Sequence, residues 1–102
     1  MEDLVASDPT IVRVEQLADA LGASTRTVQR VARRYVGLPP LTIIRRYRLQ
    51  EAAQRLRDDP SIGIARVAAD LGYADHAHLT TDFRRVLGIT PSSYRRGDAP
   101  PG

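Results

Sequence analysis

VEQLADALGAS, residues 14–24, and IARVAADLGYAD, residues 64–75, are two versions of one stretch, and their repetition decides the fold. Val14 falls over Ile64, Leu17 over Val67, Ala18 over Ala68, Leu21 over Leu71 and Gly22 over Gly72. One extra residue then enters the second copy. Beyond it the match resumes, with Val28 over Leu79, Arg33 and Arg34 over Arg84 and Arg85, Gly37 over Gly88, Leu38 over Ile89, and Pro40 over Pro91. The chain therefore contains one supersecondary unit twice.

Each copy reads as helix, tight turn, helix. Val14, Leu17, Ala18 and Leu21 recur at i, i+3, i+4 and i+7, the spacing of one helical face, and Gly22 and Gly72 stop the first helix by taking a left-handed conformation. Ser24 and Asp75 cap the second helices, which each end at a Gly before a Pro. This predicts second helices over roughly 25–36 and 76–87. Between the units, PLTIIRRYRLQEAAQRLRDDP carries Leu49, Ala52, Ala53 and Leu56 on one stripe, with Pro40 suited to a first helical turn. The expectation is an all-α fold: a first helix-turn-helix subdomain over 1–39, opening with a short helix over 2–6, a connecting helix over 40–59 and a second subdomain over 60–96. A last short helix follows Thr90 and Pro91, and GDAPPG, residues 97–102, reads as a disordered tail.

Composition narrows the function. With 102 residues there is no room for a separate catalytic domain, and the absence of Cys excludes disulfides, thiolate zinc sites and cysteine nucleophiles. No apolar run approaches the roughly 18 residues of a membrane span, so the expectation is a soluble, cytoplasmic, nucleoid-associated protein with no cofactor. All fifteen cationic residues are Arg. Net charge runs −4 over residues 1–22, +8 over 23–57, −4 over 58–82 and +3 over 83–102. Such alternation presents selected basic faces to a polyanion.

The second helix of the first unit shows which face. At 100° per residue Val28, Val31, Ala32 and Tyr35 fall on one side, to pack, and Arg26, Gln29, Arg30 and Arg33 on the other, with Thr25 at the helix start. Arg26 and Arg30 are one turn apart where a recognition helix enters the major groove, and a guanidinium there can bond guanine bidentately. Gln29 can treat adenine the same way. For a lone Arg an ordinary solvated side chain is the better reading; three on one face of this unit favour double-stranded DNA. In the second copy Leu79, Phe83 and Val86 form the inner side, and Arg26, Arg30 and Arg33 are answered by Ala77, Thr81 and Arg84. His76, His78, Thr80 and Thr81 remain outward, able to hydrogen-bond or to touch a thymine methyl but weak against phosphate. The pair is unequal: an anchor, and a tuner whose histidines tighten binding as pH falls through about 6.5.

A connector helical over 40–57 spans about 27 Å, near the roughly 34 Å between successive major-groove faces, so a monomer can read two adjacent grooves. Among its arginines, Arg45, Arg46, Arg48, Arg55 and Arg57, phosphate contacts and internal salt bridges are both expected, with Arg48 structural.

With these motifs in place, residues 12–96 resemble the DNA-binding domain of the AraC family of bacterial transcription regulators. The most specific stretch is VAADLGYADHAHLTTDFRRVLGITPSSYR, with its Gly-aromatic turn, Asp cap, His, Phe-Arg-Arg and Pro-x-x-Tyr ending. LADALGASTRTVQRVARRYVG and IIRRYRLQEAA match the first unit and the connector. The resemblance implies a seven-helix domain binding an asymmetric site through two successive major grooves. It implies base contacts at Arg26, Gln29 and Arg30, and at His76, Ala77, His78 and Thr81. Three positions depart from the family pattern: Thr81 stands where Arg is common, Pro39 replaces a Ser cap, and Arg13 stands where a capping Ser or Thr is common. Family members usually carry an effector-binding or dimerising domain as well, so this chain reads as a monomeric fragment.

Two competing readings remain. An enzyme would have to use His76, His78, Asp75 and Asp82; Asp75, His78 and Asp82 share a helical face, but without a fourth ligand or a pocket they make a poor metal site. Alternatively only the first unit reads DNA, and the second is a protein-interaction module that meets RNA polymerase.

Overall fold

The computed structural model describes residues 1–97. It is all-helical among those residues: α1 (Glu2–Ser7), α2 (Val14–Leu21), α3 (Thr25–Tyr35), α4 (Pro40–Asp58), α5 (Ile64–Asp70), α6 (His76–Leu87) and α7 (Pro91–Arg95). The expected tail, Gly97 apart, lies outside the described residues. The chain forms two compact units, Met1–Arg48 and the part from Leu49 onward. Both draw on α4: Ile44 belongs to the first core, and Leu49, Ala52, Ala53 and Leu56 to the second.

In the first unit Val5, Ile11, Leu17, Ala18, Val28 and Ile44 are buried together. Burying each large aliphatic side chain contributes about 1.5–3 kcal/mol. α2 starts without a capping Ser or Thr because Gln16 takes over: its Oε1 accepts from the backbone N–H of Val12 and of Arg13, both at 2.9 Å. That meets donors that a helix start leaves unpaired. At the other end Gly22 has φ +63, and the Ala23 N–H returns to the Ala18 carbonyl at 3.0 Å. A side chain at Gly22 would meet left-handed strain despite the open space around it. Ser24 caps α3 by accepting from the Thr27 N–H at 3.1 Å.

In the second unit Val67, Ala68, Leu71, Leu79, Phe83 and Ile89 join the α4 stripe. Phe83 meets Tyr94 of α7 edge-on, with ring centroids 5.7 Å apart. Asp75 caps α6 through the His78 N–H, and Thr90 caps α7, where Pro91 occupies the first turn.

A further element repeats that the helical pattern hides. DPTI, residues 8–11, and DPSI, residues 59–62, form the same turn. Asp8 Oδ1 accepts from the N–H and hydroxyl of Thr10 at 3.0 and 2.5 Å, and Asp59 Oδ1 from those of Ser61 at 3.0 and 2.6 Å. Each turn region is clasped by an arginine. Arg48, only 2% exposed, donates to the carbonyls of Asp8, at 2.9 Å, and Val5. Arg95 donates to the carbonyls of Pro60 and Ile62 at 3.2 and 2.5 Å. The clasped carbonyls lie outside regular helix hydrogen bonding or at its edge, and a buried carbonyl needs a donor.

Three expected core positions are corrected. Leu21 is 41% exposed, Tyr35 74% and Val86 50%. All three stand on the inner side of their helices, but a helical azimuth buries a side chain only where a neighbour covers it. Tyr35, the last residue of α3, instead carries the Arg34 guanidinium 5.5 Å from its ring centre. Leu87, not Val86, packs against the second core.

Candidate nucleic-acid interface

The exposed face of α3 is dominated by arginines. Thr25, Arg26, Gln29, Arg30, Arg33 and Arg34 are all exposed, whereas Val28 and Ala32 are buried. No acid lies within the helix, and among the described residues none of Arg26, Arg30 and Arg33 makes an ion pair. Arg34 joins this face one turn beyond Arg30; the sequence aligns it with Arg85, but the outer side read from the helical angles names only Arg26, Gln29, Arg30 and Arg33. A cleft of about 340 Å³ borders the face, lined by Val14, Gln29, Arg33, Pro39, Pro40 and Leu41. Four aliphatic or proline side chains thus flank one amide and one guanidinium.

The corresponding face of α6 is mixed. Ala77, His78, Thr81, Arg84 and Arg85 are exposed, as is His76 in the first turn. Thr80 does not belong with them. At 100° per residue it lies within about 60° of Phe83 and Leu87, it is half-buried, and its Oγ1 is buried without a hydrogen-bond partner. Arg85 takes its place on the outer face, 3.9 Å from Asp82.

His78 is held by its own cap. Asp75 Oδ1 accepts from the His78 backbone N–H at 2.9 Å and lies 3.0 Å from the ring Nδ1. The backbone N–H bond is the main cause that holds the Asp75 carboxyl below its usual value, with the His78 ring adding to it. Asp75, His78 and Asp82 do not gather into a metal-binding group, and no such group occurs among the described residues.

The connector arginines divide. Arg48 is structural, as expected; Arg55 bridges Glu51 at 3.3 Å and Asp70 at 3.1 Å, and Arg66 shares that Asp70 carboxylate. Arg45, Arg46 and Arg57 are exposed. No helix of the described residues is long and apolar enough to cross a membrane.

Comparison with known proteins fits this geometry. Residues 17–97 match the model of a helix-turn-helix domain family. A putative AraC-like transcription regulator of Streptomyces antibioticus is 34% identical over 87 residues, covering 85% of this chain and 28% of the relative. The chain thus spans less than a third of that curated relative. A transcriptional regulator of Chromobacterium violaceum, described as an AraC-type DNA-binding domain-containing protein, superposes with a TM-score of 0.79 at 26% identity, over 98% of this chain and 89% of its own. The DNA-binding domain of AdpA, a global transcriptional factor solved in complex with a target DNA, superposes with a TM-score of 0.76 at 29% identity, over 91% and 83%. This membership, and no missing ligand, sets the enzymatic reading aside. The chain belongs to the helix-turn-helix family and, within it, to the AraC type of DNA-binding domain.

Proposed function

We propose that this domain binds double-stranded DNA at a specific site, with α3 as principal reader and anchor and α6 as a weaker reader that adds discrimination. The observation that carries this is the outer face of α3: four exposed arginines and one glutamine, with no acid in the helix and no ion pair at Arg26, Arg30 or Arg33. Unpaired guanidinium groups on a fixed helical face suit phosphates and guanine edges. Arg26, Gln29 and Arg30 read bases from the first two turns; Arg33 and Arg34, nearer the helix end, suit backbone phosphates. In α6, Ala77, His78 and Thr81 lie toward bases and Arg84 and Arg85 toward phosphates. The solved complex of a related domain with its target DNA supports this reading.

The tandem repeat supports insertion of the two helices into successive major grooves of an asymmetric site. A second reading gives α6 to a protein partner such as RNA polymerase, and the half-exposed Val86 on that helix favours it. Selection of bound sites from random DNA, followed by footprinting, separates the two. Two protected groove faces with two specified half-sites support the double reader. One specified half-site, with no sequence preference beside it, supports the protein-interaction reading.

A further inference from the structure

The pair formed by Asp75 and His78 carries an inference that rests on the DNA-binding reading above. Asp75 Oδ1 is 3.0 Å from His78 Nδ1 and 2.9 Å from the His78 backbone nitrogen. A carboxylate only accepts, so the ring nitrogen that faces it must carry the hydrogen. In the neutral imidazole the second nitrogen, Nε2, is then left with a lone pair and no hydrogen. The His78 side chain is 67% exposed, so Nε2 is open to a ligand. It stands in the first turn of α6, where recognition helices meet base edges, about 60° round the helix from Thr81.

From this geometry we infer that His78 is a specificity-determining residue of the second unit and that Asp75 is its positioning residue: the pair presents a hydrogen-bond acceptor to the major groove. The bases that offer a donor there are cytosine, through its N4 amino group, and adenine, through N6. Guanine and thymine offer acceptors at the matching edge and are refused by a lone pair. An imidazole free to choose would present either a donor or an acceptor and would discriminate poorly. The cap thus performs two tasks with one carboxylate oxygen, starting the helix and setting the tautomer.

The test has two arms. In the free domain at pH 8, where an ordinary imidazole is neutral, nitrogen-15 NMR of the His78 ring reads the tautomer directly. The inference expects the hydrogen on Nδ1, and a ring protonated mainly at Nε2 overturns it. Asp75→Ser keeps a good N-cap but is too short to hold both groups, so the ring is expected to lose its Nδ1–H preference while helix content is kept. An unchanged tautomer in that variant overturns the role of Asp75.

Random-site selection supplies the second arm. The wild type should choose cytosine or adenine by about fivefold at one position of the second half-site, the scale of a single net hydrogen bond. His78→Ala should flatten that position and leave the first half-site motif intact. A motif that His78→Ala leaves unaltered overturns this inference alone. Failure of the wild type to select any site would overturn the DNA-binding reading and this inference with it.

Discussion

α3 and α6 occupy matching places in the repeat and differ mainly in what they show to solvent. The outer side of α3 carries Arg26, Arg30, Arg33 and Arg34 with no acid; that of α6 carries Ala77, His78, Thr81, Arg84 and Arg85, with Asp82 beside Arg85 and Asp75 at the cap. Behind these faces the two units are built alike. Each has an Asp-Pro-hydroxyl-Ile turn, an arginine that clasps nearby carbonyls, and a side-chain cap at the second helix. The repeat therefore supplies the scaffold twice and the dense, acid-free cationic face once. Each cation that neutralises a phosphate steepens the salt dependence of binding by about 0.9, so charge on the two faces translates into separate measurable contributions.

The largest effect tests how far the likeness of the scaffolds extends. Arg48→Ala leaves the Val5 carbonyl without its arginine donor, at about 1–3 kcal/mol when such a group stays buried, and takes one of two donors from the Asp8 carbonyl, which keeps the Ile11 N–H at 3.2 Å. Urea unfolding should show a loss of about 2–4 kcal/mol for Arg48→Ala. Arg95 is only half-buried, so water can replace it in part and Arg95→Ala should cost about 1–2 kcal/mol. Equal losses would mean the two clasps are energetically the same despite their different burial.

Salt dependence probes the faces themselves. Replacing Arg33 and Arg34 together by Ala should lower the slope of log K against log salt by about 1–2, whereas Thr81→Ala should leave it unaltered. Making the second face resemble the first is the converse test. Thr81→Arg, at a position placed toward bases, should shift one position of the second half-site toward guanine with little change in slope; a rise of about 0.9 would place that position against phosphate instead.

Much of this was legible in the sequence. Helical periodicity together with Ser24, Asp75 and Thr90 located the second helices and the last helix to within a residue or so, and the asymmetry of Arg26 and Arg30 against Ala77 and Thr81 was readable by alignment alone. What escaped was tertiary. Azimuth places Tyr35, Val86 and Leu21 inward but does not say where the covering element ends. Thr80 was misplaced because its polarity outweighed its register with Phe83 and Leu87. Gln16 escaped as a cap because the residue at the cap position, Arg13, has no acceptor. The DPTI and DPSI turns were present at a constant spacing of residues yet lay outside the apolar pattern used to find the repeat, and Arg95 gave no local signal that it reaches back to Pro60.

Those turns carry the smallest predicted effect. Hydrogen bonds from the Thr10 hydroxyl and N–H, with Arg48 nearby, hold Asp8 below its usual 3.8, and bonds from Ser61, with Arg95 nearby, do the same for Asp59. A carboxylate with a depressed folded value contributes stability that is present above the unfolded value and is lost as pH falls through the folded one. Unfolding followed below pH 4 should therefore show an acid limb that Asp8→Asn and Asp59→Asn each shallow slightly. A limb unchanged in both would assign acid sensitivity to other carboxylates.

The central claim is that α3 supplies most of the recognition, and Arg30 stands at the middle of its exposed face. Affinity of Arg30→Ala and Thr81→Ala, measured side by side on the site selected by the wild type, tests it most directly. Arg30→Ala should lose about 1–3 kcal/mol and Thr81→Ala clearly less. Unchanged binding by Arg30→Ala, or a loss in Thr81→Ala that equals or exceeds it, would mean that α3 is not the principal reader.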